Sequence, residues 1–353
     1  MIKTLRWPLL FTALGAGASA LYGGSAAAVT ALILIVLEIS LSFDNAVVNA
    51  KVLQSMNEQW QRLFLTVGVL IAVFGMRLVI PFVIVWLTAG IGPGEALSLA
   101  LDRGDPDVPG TYGYLLHEAH PMIAAFGGMF LLLVFLNFIF EEREIRWLRR
   151  IEEQLGKLGR LDSFAVVVSL CALLAVTKSL PQDKQLAVLV AGAVGILVYL
   201  LTSSLGEVFE EDLDNRDSGS VEGRPAAVAI RTGRAAFFTF LYLEVLDASF
   251  SMDGVVGAFA ITSDPIIIAV GLGVGALYIR TLTVLIVRRG TLQELVYLEH
   301  GAHWAIGTLA LILLITTRVD IPEAVTGFVG VAFIGAGLLS SVRERRGAAP
   351  LPG

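Results

Sequence analysis

The chain is 353 residues long, 56% hydrophobic and only 16% charged, with a mean hydropathy of +0.78. Soluble domains average about 45–50% apolar and about 25% charged residues, so the composition excludes a soluble globular fold and predicts an all-α polytopic membrane helix bundle. The net charge of −6 by itself says nothing about nucleic acid; no basic stripe on a soluble domain exists, so no nucleic-acid partner is expected, and the single Cys171 excludes a disulfide framework or a thiolate metal site.

Apolar runs of about 20 residues mark spanning helices. Ten are predicted in chain order: 7–24, 29–52, 63–89, 114–140, 162–180, 185–205, 235–261, 265–287, 300–317 and 321–341. The first also fits a secretory signal peptide, with Lys3 and Arg6 ahead of the apolar stretch and Ala18-Ser19-Ala20 behind it. Retained, it lets the ten helices divide into two fives. The first half covers 1–161 and ends in a charged, amphipathic cytoplasmic segment over 141–161. The fifth and sixth helices, 162–205, lead to an acidic linker over 206–233, expected to be mobile. The core of the second half covers 234–342, and a cytoplasmic tail follows over 343–353. With both termini cytoplasmic, the basic clusters of 143–160, 216–234 and 343–346 lie inside, together with Lys51, Arg62, Arg288 and Arg289. Only Arg103, Lys178, Lys184 and Arg318 remain outside, which fits the positive-inside rule and a multi-pass protein of the plasma (inner) membrane.

A nine-residue phrase occurs in both halves. Leu37-Glu38-Ile39-Ser40-Leu41-Ser42-Phe43-Asp44-Asn45 is answered by Leu246-Asp247-Ala248-Ser249-Phe250-Ser251-Met252-Asp253-Gly254, with acid, Ser, Ser and acid at the same offsets. On the next helix of each half a glycine precedes an arginine by nine residues, Gly68 to Arg77 and Gly271 to Arg280. On the helix after that, Tyr114-Leu115-Leu116-His117-Glu118-Ala119-His120 is echoed by Tyr297-Leu298-Glu299-His300-Gly301-Ala302-His303. Three elements in one order on successive helices indicate internal duplication. Matching helices are five apart in the count, so they cross in opposite directions and form two inverted five-helix repeats. Secondary transporters use that arrangement and bind their cargo at the midplane.

Each ionised carboxylate at bilayer depth costs about 2.5–3.5 kcal/mol, so the acids are expected to face something cationic. On a helix turning about 100° per residue, Glu38, Ser42, Asn45 and Asn49 form one stripe, and Glu244, Asp247, Ser251 and Gly254 form another. Asp44 and Asp253 lie off those stripes. Either the two acid helices face one another around a common cavity, or each opens near Asn45 and Gly254. Carboxylates, hydroxyls and an amide carbonyl are hard oxygen donors, suited to Mn²⁺, Ca²⁺ or Mg²⁺ rather than Zn²⁺ or Cu⁺. Crowded carboxylates also hold protons when no cation is bound. Arg77 and Arg280 read either as counter-ions to the empty site or as groups bonded to helix ends. His117 and His120, and His300 and His303, are i, i+3 pairs at helix starts. They read as hydrogen-bonded interfacial residues or as a pH-sensitive gate or proton relay at each mouth. Gly271, Gly273 and Gly275 read as a close helix-packing surface. No nucleophile–base pair or complete zinc motif is present, so no enzymatic activity is expected.

The Glu38-Ile39-x-Leu41-x-x-Asp44-Asn45 segment resembles the first-helix motif of the TerC family of integral membrane proteins. Asp247-x-x-Phe250-x-x-Asp253, followed by Ala258-Phe259-Ala260-Ile261-Thr262-Ser263-Asp264-Pro265, is similar to its second motif. The resemblance covers roughly residues 30–90 and 240–320. Gly254 stands where that family has Ser, and the paired histidine segments are outside its usual pattern, which marks a divergent branch of domain-of-unknown-function type. The family is associated with tellurite resistance and Mn²⁺ efflux and belongs with the LysE-type exporters. The resemblance therefore implies a metal site of Glu38, Asp44, Asn45, Asp247 and Asp253, with Ser42, Ser251, Glu244, Arg77 and Arg280 supporting it. The expected function is export of a divalent cation, Mn²⁺ foremost, in exchange for protons. The expected partners are the bilayer, the cation and protons; no cofactor is permanently bound, and self-association is left open. The alternatives are a LysE-like exporter of a small organic solute and a non-transporting scaffold in metal or tellurite stress.

Overall fold

A computed structural model describes residues 2–102, 104, 107–141, 143, 145–158, 163–217, 233–262, 264–289, 295–319 and 321–348. The side chains of Asp44 and Asp253 fall outside that description, although their backbone is helical. Among the described residues every regular element is a helix. In chain order these are α1 (Ile2–Leu41), α2 (Phe43–Gln54), α3 (Glu58–Leu70), a π-helical stretch over Ile71–Val79, α4 (Ile80–Ala89), α5 (Pro93–Leu101), α6 (Tyr112–Phe140), α7 (Arg149–Leu158), α8 (Phe164–Ser179), α9 (Gln182–Asp217), α10 (Gly233–Ile261), α11 (Pro265–Arg289), α12 (Leu298–Thr316) and α13 (Glu323–Ala348). Seven helical segments among the described residues are long and apolar enough to cross a bilayer, and α8 is a shorter apolar helix. The chain is a multi-pass helical membrane protein. The 29-residue α10 is also long enough to span, but it carries Glu244, Asp247 and Asp253.

Several boundaries depart from the sequence reading for local reasons. The predicted spans 7–24 and 29–52 meet inside α1, where the backbone leaves helical geometry at Gly23 and at Gly24 (φ +78°), a conformation glycine adopts without steric cost. The 29–52 span is itself interrupted at Ser42 (φ −103°, ψ 15°). The amide of Ser42 still donates to the Glu38 carbonyl at 3.0 Å, so the axis bends without losing its ladder. The second acid helix does not share this break, because α10 runs unbroken through Gly254. Pro81 has no amide to donate, and its ring crowds the carbonyl four residues back, at Arg77. The wider π winding of 71–79 lies immediately ahead of it. Into the stretch read as an acidic linker over 206–233, α9 continues as far as Asp217. Extending an existing helix through good helix formers such as Glu and Leu costs little. Residues 218–232 lie outside the described part. The amphipathic segment over 141–161 contains α7.

The packing centre is α6, which touches α8, α9, α10 and α12. Around it, α10 runs antiparallel to the α1–α2 unit. Leu53 and Met56, at and just past the end of α2, share an apolar cluster with Ala236, Phe240 and Leu243 at the start of α10. Ala31 and Leu34 of α1 share another with Val255 and Ala258 near its end. The glycines of α11 let it sit between two neighbours at backbone range. A methyl added at Gly271 would lie 2.4 Å from Leu34 Cβ, one at Gly275 2.5 Å from Glu38 Cβ, and one at Gly273, on the opposite side, 2.9 Å from Val73. Small residues are how membrane helices approach closely where lipid supplies no hydrophobic drive.

Candidate functional site: buried carboxylates and arginines

The close approach of α11 fixes the surroundings of Glu38, whose stem lies against Gly275 in the last turn of α1. Glu38 is 1% exposed. Its carboxylate accepts from Arg77 Nη2 at 2.5 Å and from Ser42 Oγ at 3.1 Å. Arg77, carried by the π-helical stretch, also donates to the Ala72 carbonyl. Arg77 thus pairs with Glu38 and also holds a backbone carbonyl, one inside its own helical stretch rather than at a helix end.

The second copy of the phrase builds a matching pair. Arg280 of α11 is 2% exposed and donates to Asp247 Oδ2 at 3.0 Å and to both oxygens of Glu244 at 3.3 Å. Its guanidinium carbon lies 3.8 Å from the centre of the Phe64 ring, a cation–π contact that adds to the ion pair. Gly68 leaves room for the group, since a methyl there would lie 2.7 Å from Glu244 Oε1 and 3.1 Å from Arg280 Nη1. Asn45 Nδ2, on the same helical stripe as Glu38 and Ser42, donates to Asp247 Oδ1. Arg77, Glu38 and Ser42 thus form one bonded group, and Asn45, Asp247, Arg280 and Glu244 form another.

Of the five residues assigned to the metal site, the structure brings together Glu38, Asn45 and Asp247. The Asp44 and Asp253 side chains lie outside the description. Among the described residues no three His, Cys, Asp or Glu side chains converge in a way that could hold a metal ion. The supporting residues Ser42, Glu244, Arg77 and Arg280 all join the cluster. Ser251, one turn beyond Asp247, is buried, and its hydroxyl has no hydrogen-bond partner among the described residues. The same holds for both amide atoms of Asn49 and for Nε of Arg77.

The histidines stand apart from this cluster. His303 stacks on Phe138 with ring centres 3.6 Å apart and donates from Nδ1 to the Glu299 carbonyl at 2.9 Å. His300 Nδ1 lies 3.3 Å from Glu152 Oε1. His117 is exposed, with its ring nearly parallel to that of His120. Glu152 was not evident from sequence, where it is one charge in a charged run. It accepts from Trp304 Nε1 at 3.1 Å and from the Trp147 and Leu148 amides at 3.0 and 3.3 Å, and so pins α7 to α12. Nearby, Glu299 binds both Lys51 at 2.8 Å and Arg143 at 3.2 Å, joining the end of α2 to the segment after α6.

Two outcomes follow from these contacts. Removing one member of a buried ion pair leaves an uncompensated charge, at about 3–5 kcal/mol. Glu38→Gln and Arg77→Met should each destabilise the detergent-solubilised protein by that order. The double variant should lose less than the sum, with a coupling of about 1–3 kcal/mol measured by denaturant unfolding; strict additivity would contradict the pairing. For Glu152, burial pushes the carboxyl up, but hydrogen bonds from His300 and Trp304, the charge of His300 when protonated and the Leu148 amide together hold it below the ordinary carboxylate range. A depressed folded value means that its contribution is complete above the unfolded pKa of about 4.3 and is lost as pH falls through the folded one. Glu152→Gln should therefore lower stability at neutral pH by about 1–3 kcal/mol and flatten the acid limb of melting temperature against pH. An unaltered acid limb would count against the hub.

No curated protein and no solved structure is detectably similar to this chain. Over residues 43–348 it matches the family described as a protein of unknown function (DUF475), a span that includes the second residue pair, Arg77 and both histidine segments, and the chain belongs to that family.

Proposed function

We propose that the protein is a secondary transporter that exports a divalent cation, Mn²⁺, across the plasma membrane in exchange for protons. The observation that carries this reading is that the buried acids Glu38, Glu244 and Asp247 outnumber the arginines they pair with, Arg77 and Arg280, while Asn45 donates to Asp247 from the helix-side stripe of Glu38. A structural ion pair needs one acid per base. A cluster built only for stability would gain nothing from a surplus carboxylate, which lipid makes expensive.

The charge balance suggests the exchange. Glu38, Asp44, Glu244, Asp247 and Asp253 exceed the two arginines by three negative charges when all are ionised. A divalent ion reduces that surplus to one, and so do two protons. Exchanging two protons for one divalent ion would keep the buried charge constant, which a low-dielectric site favours. Without the ion, Arg77 and Arg280 occupy Glu38 and Asp247; on its arrival the carboxylates exchange a guanidinium for the metal. All available donors are oxygens, which matches Mn²⁺ better than a soft or imidazole-seeking ion. The resemblance to TerC proteins supports the same cargo. The recurring phrase, the recurring Gly-to-Arg spacing and the antiparallel course of α10 support two inverted repeats of five helices, with both termini cytoplasmic.

One observation favours the rival reading of organic-solute export. A cavity of about 860 Å³ opens between α1, the π-helical stretch and α11, large enough for a small molecule. Its wall is nearly all apolar, and its one charged residue, Arg77, is already paired with Glu38. Nothing there would orient an amino or carboxylate group, so the cation reading stands ahead.

The test is Mn²⁺ flux into proteoliposomes containing only this protein, across a panel of cations and with an imposed pH gradient. Uptake should rise when the gradient drives protons the other way. Asp44→Asn, Asp247→Asn and Asp253→Asn should each reduce it at least about tenfold, the scale of one lost charge-assisted contact. Flux unchanged in all three would refute the assignment.

A further inference from the structure

Two buried polar side chains one turn from the Asn45–Asp247 bond make no hydrogen bond among the described residues. Asn49 is 0% exposed, and neither its Nδ2 nor its Oδ1 has a hydrogen-bond partner there. Ser251 is 2% exposed, and its hydroxyl is equally unpartnered. Ser19, Ser169 and Thr177 are buried and unpartnered too, but on stretches of α1 and α8 that carry none of the clustered acids. Ser249, on the other face of the same helix, returns its hydroxyl to the Val245 carbonyl at 3.0 Å, as Thr239 does to Ala235 and Thr283 to Ile279. The Ser251 hydroxyl is turned away from that local bond. Buried groups left unpaired in this way call for an explanation, of which an unseen ion or its hydration water is one.

Their positions supply it. Asn49 lies one turn past Asn45 on α2, and Ser251 one turn past Asp247 on α10. Asn45 and Asp247 are bonded to each other. Because α10 runs antiparallel to α2, the two unpartnered residues fall on opposite sides of that bond, about 12 Å apart along the helix axes at about 1.5 Å of rise per residue. Resting on the transport reading above, we infer that Asn49, the Asn45–Asp247 bond and Ser251 line the route of a partly hydrated divalent cation. Asn49 serves one mouth of the buried site and Ser251 the other, and each replaces water ligands as the ion enters or leaves. The large apolar cavity next to Arg77 is not that route, because its walls offer no oxygen ligands in series.

The experiment uses the full chain in proteoliposomes, with the exposed native thiol removed (Cys171→Ser). Asn49→Cys and Ser251→Cys are treated with a membrane-impermeant cationic methanethiosulfonate from either side. Labelling of the two variants from opposite faces is the expected result. Labelling of both from one face, or of neither from any face, would overturn the route. A second variant guards against misfolding. Asn49→Leu removes the unpaired amide, so it should melt at or above the temperature of the parent while Mn²⁺ flux falls at least about tenfold; flux within twofold of the parent would overturn the role of Asn49. If the parent itself carried no Mn²⁺, the transport reading would fail on its own, and the labelling pattern would still decide whether a polar path crosses the protein here.

Discussion

Everything in this architecture turns on holding carboxylates inside lipid. A lone ionised acid there is expensive, and a guanidinium is nearly as costly, but the two together, with hydrogen bonds to spare, can be retained. The protein does this twice, with Glu38 on Arg77 and with Asp247 and Glu244 on Arg280. Each arginine comes from a segment later in the chain than its acid. The Asn45 amide, on the stripe of Glu38, donates to Asp247 of the second pair. Acids exceed bases among these groups, and that imbalance is what the proposed cation exchange rests on.

Backbone packing is what brings such groups within reach. Side chains as short as Glu and Asp can meet arginines on neighbouring helices only if those helices nearly touch. Gly275 lets α11 press on the stem of Glu38, and Gly68 clears the space that Glu244 and Arg280 occupy. The π winding ahead of Pro81 sets the angle at which Arg77 leaves its helix. Away from the membrane core, Glu152 and Glu299 gather contacts from α2, α7, α12 and the segment after α6. They tie these elements together without entering the acid cluster.

Much of this was legible in the residues. Acids in apolar segments announced their own importance through cost alone, and recurrence at equal offsets singled out Arg77 and Arg280 without deciding between counter-ions and groups bonded to helix ends. Glycine spacing on α11 indicated a packing face, which the contacts with Leu34 and Glu38 bear out. Other features depend on tertiary contacts that no local pattern carries. Helical periodicity does not distinguish a bend at Ser42 from the unbroken course of α10, since both copies of the phrase carry the same pattern of acids and serines. Glu152 looked like one more solvated charge until α12 supplied His300 and Trp304. The histidine segments matched in sequence but not in use, since His300 is buried against Glu152 while the matching His117 is exposed.

The central claim is that these carboxylates exchange their guanidinium partners and protons for a divalent ion. Calorimetric titration of Mn²⁺ into the purified protein, in buffers of different ionisation enthalpy, tests it most directly because metal binding to protonated ligands releases protons. Saturable binding with release of roughly two protons per ion, abolished by Asp247→Asn, is the predicted result. Absence of binding to the unaltered protein, or binding indifferent to that substitution, would contradict it.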